Sequence, residues 1–127
     1  MASFTSTNPA RPAEVVIELP SHDGADVDIA VERASAAQRD WARRPVPERA
    51  EAIAAVGHLL ASRKAEMAEL VSREAGKIRV EGGGEVQEAI DMAAFVAGQG
   101  RSAMGEVVPS ELQCHLPCVR QAPLASA

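Results

Sequence analysis

The fold is decided by the stretch from Glu74 to Met92, which reads EAGKIRVEGGGEVQEAIDM. Gly76 follows an apolar helical pattern, and glycine adopts at little cost the left-handed conformation that ends helices. Lys77 places a positive charge beside the negative helix end. We therefore expect one helix to end at Gly76 and a last helix to span about residues 78–97. Its buried side is predicted to comprise Val80, Val86, Ala89, Ile90, Ala93, Val96 and Ala97.

The glycine run from Gly82 to Gly84 lies inside this last helix. Each glycine costs a helix interior about 0.8–1 kcal/mol relative to alanine, so we expect the first turns to fray or bend when unsupported. A phosphate cradle is the alternative, but no Lys-Ser or Lys-Thr follows, and Glu81 and Glu85 would repel phosphate. A bend or a close backbone contact is the favoured interpretation.

Two helical segments precede Gly76. Asp23 suits the cap of a first helix that runs to about Arg43. Pro47 suits the first turn of a second helix, which either continues or breaks near Ser62. The apolar stripe of the first helix has Trp41 as its anchor and comprises Val27, Ala30, Val31, Ala34, Ala37 and Trp41. The second carries Ala50, Ile53, Ala54, Val56, Leu59 and Leu60, followed after the break by Ala65, Met67, Leu70 and Val71.

The amino-terminal residues predict extended structure. Residues 14–19 are β-branched in their centre and end at Pro20, which indicates a short strand. A hairpin with residues 3–7 is an open alternative. The predicted fold class is mainly α with a short amino-terminal β strand or hairpin. The predicted organisation is an extension over residues 1–20, a helical subdomain over 21–105 and an irregular tail over 106–127, with an extended start at 107–112.

The core that this composition allows is thin. Apolar residues make up 46% of the 127, but many are alanines, and the only aromatic residues are Phe4, Trp41 and Phe95. A methyl group removes little apolar surface from water, against a backbone ordering cost of about 1–2 kcal/mol per residue. We expect the helices to pack on something outside the chain, by self-association or by docking through the apolar faces of residues 27–41 and 53–60.

Charge and signal patterns narrow the function classes. The 13 basic residues are dispersed among 18 acidic ones, for a net charge of −5. Nucleic-acid binding needs a concentrated cationic face, so it is not expected. The start lacks the basic and apolar runs of a secretion signal, and no apolar stretch reaches the length of a membrane span. We therefore expect a cytoplasmic location and no membrane association.

No catalytic, cofactor-binding or metal-ligating residue is predicted. Cys114, His115 and Cys118 offer donors for a soft metal, but a structural zinc needs four ligands, and free thiols in a tail are the favoured interpretation. His58 is interpreted as a partly exposed helix residue. The many carboxylates of the helices are interpreted as solvated surface.

An ordered set of landmarks carries a family resemblance. It comprises Asn8-Pro9-Ala10, Val15-Val16-Ile17 with Pro20, Asp26-Val27-Asp28, Trp41, Pro47-Glu48-Arg49, Leu59-Leu60, Glu74-Ala75-Gly76-Lys77 and Gly84-Glu85-Val86. Together these resemble the amino-terminal region of the NAD(P)-dependent aldehyde dehydrogenase family. The resemblance implies an incomplete piece of an α/β, Rossmann-type fold. It also implies a full-length protein that oxidises an aldehyde or semialdehyde to a carboxylic acid with NAD or NADP.

The resemblance covers about residues 8–112 and includes none of the family's chemical motifs. The cofactor glycine turn and the segments with the oxyanion asparagine, the catalytic glutamate and the nucleophilic cysteine have no counterpart here. Cys114 lies too early in the chain to be that nucleophile. The chain is therefore predicted to be inactive by itself and to bind no cofactor. After Leu112 the tail diverges, which a changed reading frame or premature stop would explain. The alternative is a small helical protein-interaction or assembly module.

Overall fold

A computed structural model of the chain describes residues 2–102, 105–109, 111 and 118–122. The elements, in chain order, are β1 (Ser3–Asn8), β2 (Arg11–Pro20), α1 (Gly24–Arg43), α2 (Val46–Ser62), α3 (Lys64–Ala75), α4 (Arg79–Gln99), β3 (Gly105–Val107) and β4 (Cys118–Arg120). The predicted fold class, mainly helical with a short amino-terminal hairpin, is confirmed.

The amino-terminal strands form an antiparallel hairpin. Ser3 pairs with Pro20 and Ser6 with Ile17, and the register shifts on either side of Thr7. The buried Asn8 shapes the turn, because its side-chain oxygen accepts a hydrogen bond of 2.9 Å from the backbone N–H of Ala10. An asparagine that bonds two residues ahead mimics a backbone turn. The hairpin alternative is therefore the correct one.

Helix α1 begins where the cap predicts, but the other described elements do not cover it. Asp23 and Asp26 form a reciprocal capping box at its start. None of its residues is buried, and Val27 remains 56% exposed. Trp41, the expected anchor, is itself 38% exposed. The apolar stripe is present, but no described element buries it.

Helices α2 and α3 are separated at Arg63, which confirms the break near Ser62. The Ser62 hydroxyl donates to the backbone oxygen of Leu59 at 2.9 Å, and such local bonds compete with helix continuation. Helix α3 ends at Gly76, whose φ of 66° lies in the left-handed region. The predicted helix end is confirmed.

Helix α4 runs without interruption through the glycine run, where α3 packs against its first turns and supports them. Gly82 is buried where α4 crosses α3. A Cβ atom built on it would lie 2.7 Å from the backbone oxygen of Ala68 and closer still to the Ser72 hydroxyl. The close-contact interpretation is therefore right for Gly82. No atom lies within 4 Å of a Cβ built on Gly83 or Gly84.

The small core lies along α4, which packs on both α2 and α3. Val86 and Ala93 are the only buried apolar residues in the described part of the chain. Gly57 of α2 faces Ala93, and a Cβ at position 57 would lie 3.1 Å from the Ala93 methyl. None of the described helices has both the length and the apolarity that crossing a bilayer requires.

The described part of the tail contains two short strands. Strands β3 and β4 pair antiparallel, with Gly105 opposite Arg120 and Glu106 opposite Val119. The β-branched Val107 and Val119 favour this extended conformation. Of these two residues, Val107 lies in the extended start predicted at residues 107–112, and Val119 lies outside it. The domain boundaries at residues 20 and 105 stay a prediction.

Candidate functional site

A hydrogen-bonded cluster joins the hairpin to α3. The Arg73 guanidinium donates to the Glu14 carboxylate at 2.6 Å and to the backbone oxygen of Val15 at 3.3 Å. The Asn8 amide donates to the other Glu14 oxygen at 3.0 Å. We call Asn8, Glu14 and Arg73 the hairpin cluster. Nearby, the Ser6 hydroxyl donates to Glu74 at 2.7 Å, which adds a second link between hairpin and helix.

The hairpin cluster lines a polar cavity of about 290 Å³. Its charged side chains are those of Arg11, Arg73, Lys77, Arg79, Glu14 and Glu69. Each cation already has a carboxylate partner: the ion pairs are Arg11–Glu14, Arg73–Glu14, Arg79–Glu69 and Lys77–Glu85. Because the positive charges are neutralised internally, this arrangement stabilises the position of the hairpin and offers little attraction to an anionic ligand.

The hydrogen bond from Arg73, with that from Asn8, lowers the pKa of Glu14 below its usual value of 4.5. A carboxyl group whose pKa is lower in the folded state stabilises the fold above its unfolded pKa. This contribution is lost as the pH falls through the folded value. We therefore expect the hairpin to remain attached to α3 at neutral pH and to loosen only below about pH 4.5.

Amide hydrogen exchange of residues 3–20 as a function of pH, corrected for intrinsic exchange, tests this expectation. Protection in the wild type is expected to fall in acid. Glu14→Gln, which cannot titrate, is expected to show lower protection at pH 7 and a flatter profile. The same acid-dependent loss in Glu14→Gln would contradict the assignment to Glu14.

Of the residues weighed as metal or catalytic candidates, the structure describes His58 and Cys118. His58 is exposed on α2, as expected. Cys118 is a free, exposed thiol in β4, whereas Cys114 and His115 lie outside the described residues. Over the described ranges, no group of three His, Cys, Asp or Glu side chains is placed to hold a metal ion.

The described residues do not fit a nicotinamide dinucleotide. Such a cofactor binds at the carboxyl ends of parallel strands, with its pyrophosphate at a glycine turn that opens a helix. The strands here form two antiparallel pairs. The glycine run lies within α4, where Gly82 is enclosed by Ala68 and Ser72.

A second, more apolar pocket lies where the end of α1, the start of α2 and the end of α4 meet. It has a volume of about 300 Å³, and its walls include Trp41, Arg49, Ile53, Val96 and Gly100. We call it the Arg49 pocket. The Nε atom of Arg49 is buried and has no hydrogen-bond partner among the residues that the structure describes. An unsatisfied buried donor costs about 1–3 kcal/mol, and more when it carries charge.

Arg49 and Asn8 are among the landmarks of the family resemblance, but the sequence analysis assigned no role to Arg49 or to the hairpin cluster. The signal for Arg49 is a cation within the apolar period that continues through Ala50 and Ile53. Glu14 and Arg73 are 59 residues apart, so their pairing had no local signal.

The total surface is large for the mass. The chain exposes 9941 Å², whereas a compact monomer of 13.3 kDa exposes about 6,500 Å². The exposed surface is therefore about 3,500 Å² larger than that of a compact monomer of this mass. Exposed apolar residues of the helices contribute to it, including Leu59 and Phe95, each 63% exposed. The helical part therefore leaves much apolar side-chain surface exposed.

Comparison with known proteins identifies the family. The aldehyde dehydrogenase family model matches residues 2–126, and so includes the tail beyond Leu112. An α-ketoglutarate semialdehyde dehydrogenase of Haloferax volcanii is 42% identical over 106 residues, which are 78% of this chain and 22% of that protein. Malonate-semialdehyde dehydrogenase 1 of Geobacillus kaustophilus is 41% identical over 99 residues, which are 78% of this chain and 20% of that protein.

Solved structures agree. An NAD-dependent benzaldehyde dehydrogenase from Corynebacterium glutamicum superposes with a TM-score of 0.78 at 29% identity, covering 89% of this chain and 24% of that one. Lactaldehyde dehydrogenase from Escherichia coli superposes with a TM-score of 0.80 at 28% identity, covering 88% and 23%. The chain thus spans about a quarter of these structures and about a fifth of the two curated relatives. Its fold and sequence place it in the aldehyde dehydrogenase family.

Proposed function

We propose that the chain is the amino-terminal part of an NAD(P)-dependent aldehyde dehydrogenase that oxidises a semialdehyde to a carboxylic acid. The observation that carries this proposal is the family match over residues 2–126 of a chain that spans only about a fifth of its curated relatives. A semialdehyde is favoured because relatives from Haloferax volcanii, Geobacillus kaustophilus and Bos taurus are all named semialdehyde dehydrogenases.

Within such an enzyme, the chain contributes structure and no chemistry. Its hairpin is held to α3 by the hairpin cluster, and α4 is held between α2 and α3. The uncovered stripe of α1 and the exposed apolar residues of α2 and α4 pack against the remaining polypeptide. This proposal accounts for a surface about 3,500 Å² larger than a compact monomer of this mass requires.

The 127-residue chain by itself is expected to be inactive. The aldehyde dehydrogenase reaction uses a cysteine thiolate to attack the aldehyde, donors that stabilise the oxyanion and a bound nicotinamide to accept hydride. The described residues provide no such assembly. Purified chain mixed with malonate semialdehyde and either NAD+ or NADP+ is therefore expected to give no rise in absorbance at 340 nm above the protein-free control. Heat-sensitive turnover that scales with chain concentration would contradict the proposal.

A small helical assembly module is the second candidate, favoured by the same exposed apolar faces. The two candidates differ in what covers those faces. An assembly module is expected to form a defined complex without any aldehyde dehydrogenase sequence. The amino-terminal part of an enzyme is expected to complete its packing only with the rest of a family member.

A further inference from the structure

We propose that the Arg49 pocket receives an acidic side chain, an Asp or Glu flanked by an apolar residue, from the remaining polypeptide of the aldehyde dehydrogenase. This inference rests on the proposed function and names the chemistry of one contact that the proposal requires. It begins from the Arg49 side chain, whose Nε atom is buried without a hydrogen-bond partner in the described part of the chain. Buried polar groups are almost always hydrogen-bonded, so a donor left without a partner indicates that a group is missing.

The position of Arg49 in its helix makes an anionic partner the best fit. Arg49 lies in the first turn of α2, and its backbone N–H donates to the oxygen of Pro45. The start of a helix carries partial positive charge, so a cation there is disfavoured unless a negative charge lies close to it. A carboxylate placed in the pocket accepts the Nε hydrogen bond and offsets both positive charges.

The pocket walls explain why the acidic side chain should belong to a polypeptide. Trp41, Ile53 and Val96 line the same pocket as Arg49 and are apolar, and Trp41 and Val96 remain 38% and 44% exposed. A small carboxylate would satisfy Arg49 but leave this adjoining surface in water, whereas a chain segment with an apolar neighbour covers both.

The test compares Arg49→Met in two settings. One is the complete 127-residue chain. The other is a chimera in which this chain supplies the 99 matched residues of the Geobacillus kaustophilus malonate-semialdehyde dehydrogenase 1. Met keeps most of the side-chain volume and removes the charge. Arg43→Met is the matched control, because its side chain is 80% exposed and pairs only with Asp40 at 3.5 Å.

A change of sign is expected between the two settings. In the isolated chain, Arg49→Met removes a cation whose buried Nε atom has no hydrogen-bond partner among the described residues, so the Tm should be unchanged or higher. In the chimera it removes the partner of a carboxylate, and the Tm should fall by about 5 °C or more relative to Arg43→Met. A crystal structure of the chimera should show an Asp or Glu oxygen within hydrogen-bond distance of Arg49 Nε. One further outcome is that the Arg49→Met chimera does not fold while the Arg43→Met chimera folds. In that case, an unchanged Tm of the isolated chain on Arg49→Met substitution still supports the proposal.

Other results overturn it. Equal loss of Tm in both settings would assign Arg49 a role inside the chain. If Arg49→Met does not lower the Tm of the chimera, the partner of Arg49 is not an acidic side chain. A crystal structure with a backbone carbonyl or a water at Arg49 Nε would show the same. If the isolated chain forms dimers in analytical sedimentation and Arg49→Met abolishes them, the occupant of the Arg49 pocket is a second copy of the chain. If acetate raises the Tm of the isolated chain but not that of Arg49→Met, the occupant of the Arg49 pocket is a small carboxylate. A folded, active chimera with any of these results overturns only the pocket assignment, whereas a chimera that does not fold with Arg49 intact overturns the proposed function.

Discussion

Gly82→Ala is expected to lower the free energy of unfolding by about 2–3 kcal/mol, whereas Gly84→Ala is expected to raise it by about 0.5–1 kcal/mol. Both substitutions add one methyl group within the same turn of α4, so their intrinsic effect on helix formation is the same. They differ in what the methyl group meets. At position 82 it lies 2.7 Å from the backbone oxygen of Ala68, and at position 84 it meets no atom within 4 Å.

The loss at position 82 follows from the rigidity of the contact. A real Cβ atom does not approach a backbone oxygen so closely, so α3 and α4 must move apart. That movement disturbs the packing of α4, which carries Val86 and Ala93, the only buried apolar residues of the described part of the chain. Urea denaturation followed by far-UV circular dichroism measures both variants against the wild type. Equal midpoints for Gly82→Ala and Gly84→Ala would show that α3 and α4 do not pack as described.

Gly76→Ala is expected to cost about 2–4 kcal/mol, for two reasons that act together. The φ of 66° at Gly76 is unfavourable for a residue that carries a Cβ. That Cβ would also lie 2.9 Å from the backbone nitrogen of Ala10 and 3.1 Å from the Pro9 Cβ, in the turn of the hairpin. Gly76 therefore ends α3 and allows the hairpin turn to approach it.

Gly98→Ala is the matched control, because position 98 lies in α4, has no positive φ and has open space around it. It is expected to leave stability unchanged or raise it slightly. Hydrogen exchange should show faster exchange throughout residues 3–20 in Gly76→Ala and not in Gly98→Ala. Destabilisation of Gly76→Ala with unchanged protection of the hairpin would assign the whole cost to the backbone conformation and contradict the close approach.

The predictions from sequence succeeded where the determining interactions are local. Asp23 marks the start of α1 because its side chain bonds to the backbone N–H of Asp26, three residues away. Gly76 ends α3 through its own backbone conformation. Pro47 lies in the first turn of α2, where the missing N–H has no cost. Each of these signals is contained within one helical turn.

Local patterns were not sufficient where a distant residue changes the balance. The glycine run was expected to disturb α4 when unsupported, and in the structure Gly82 packs closely against Ala68 and Ser72 of α3. The Glu14–Arg73 pair and the unpaired Nε of Arg49 depend on three-dimensional proximity, which no local pattern encodes. The family resemblance supplied what these patterns lacked, because an ordered set of landmarks over many residues implies a whole fold.

The central claim is that this chain supplies the amino-terminal structure of an aldehyde dehydrogenase and needs the rest of the enzyme for activity. Aldehyde-dependent reduction of NAD+ by the chimera, measured beside the isolated chain, tests it most directly. We expect the chimera to retain at least about one-hundredth of the turnover of the Geobacillus kaustophilus relative, since small misplacements cost about 100-fold. The isolated chain should show none. Turnover by the isolated chain, or a chimera that folds but has no activity with malonate semialdehyde, would contradict the claim.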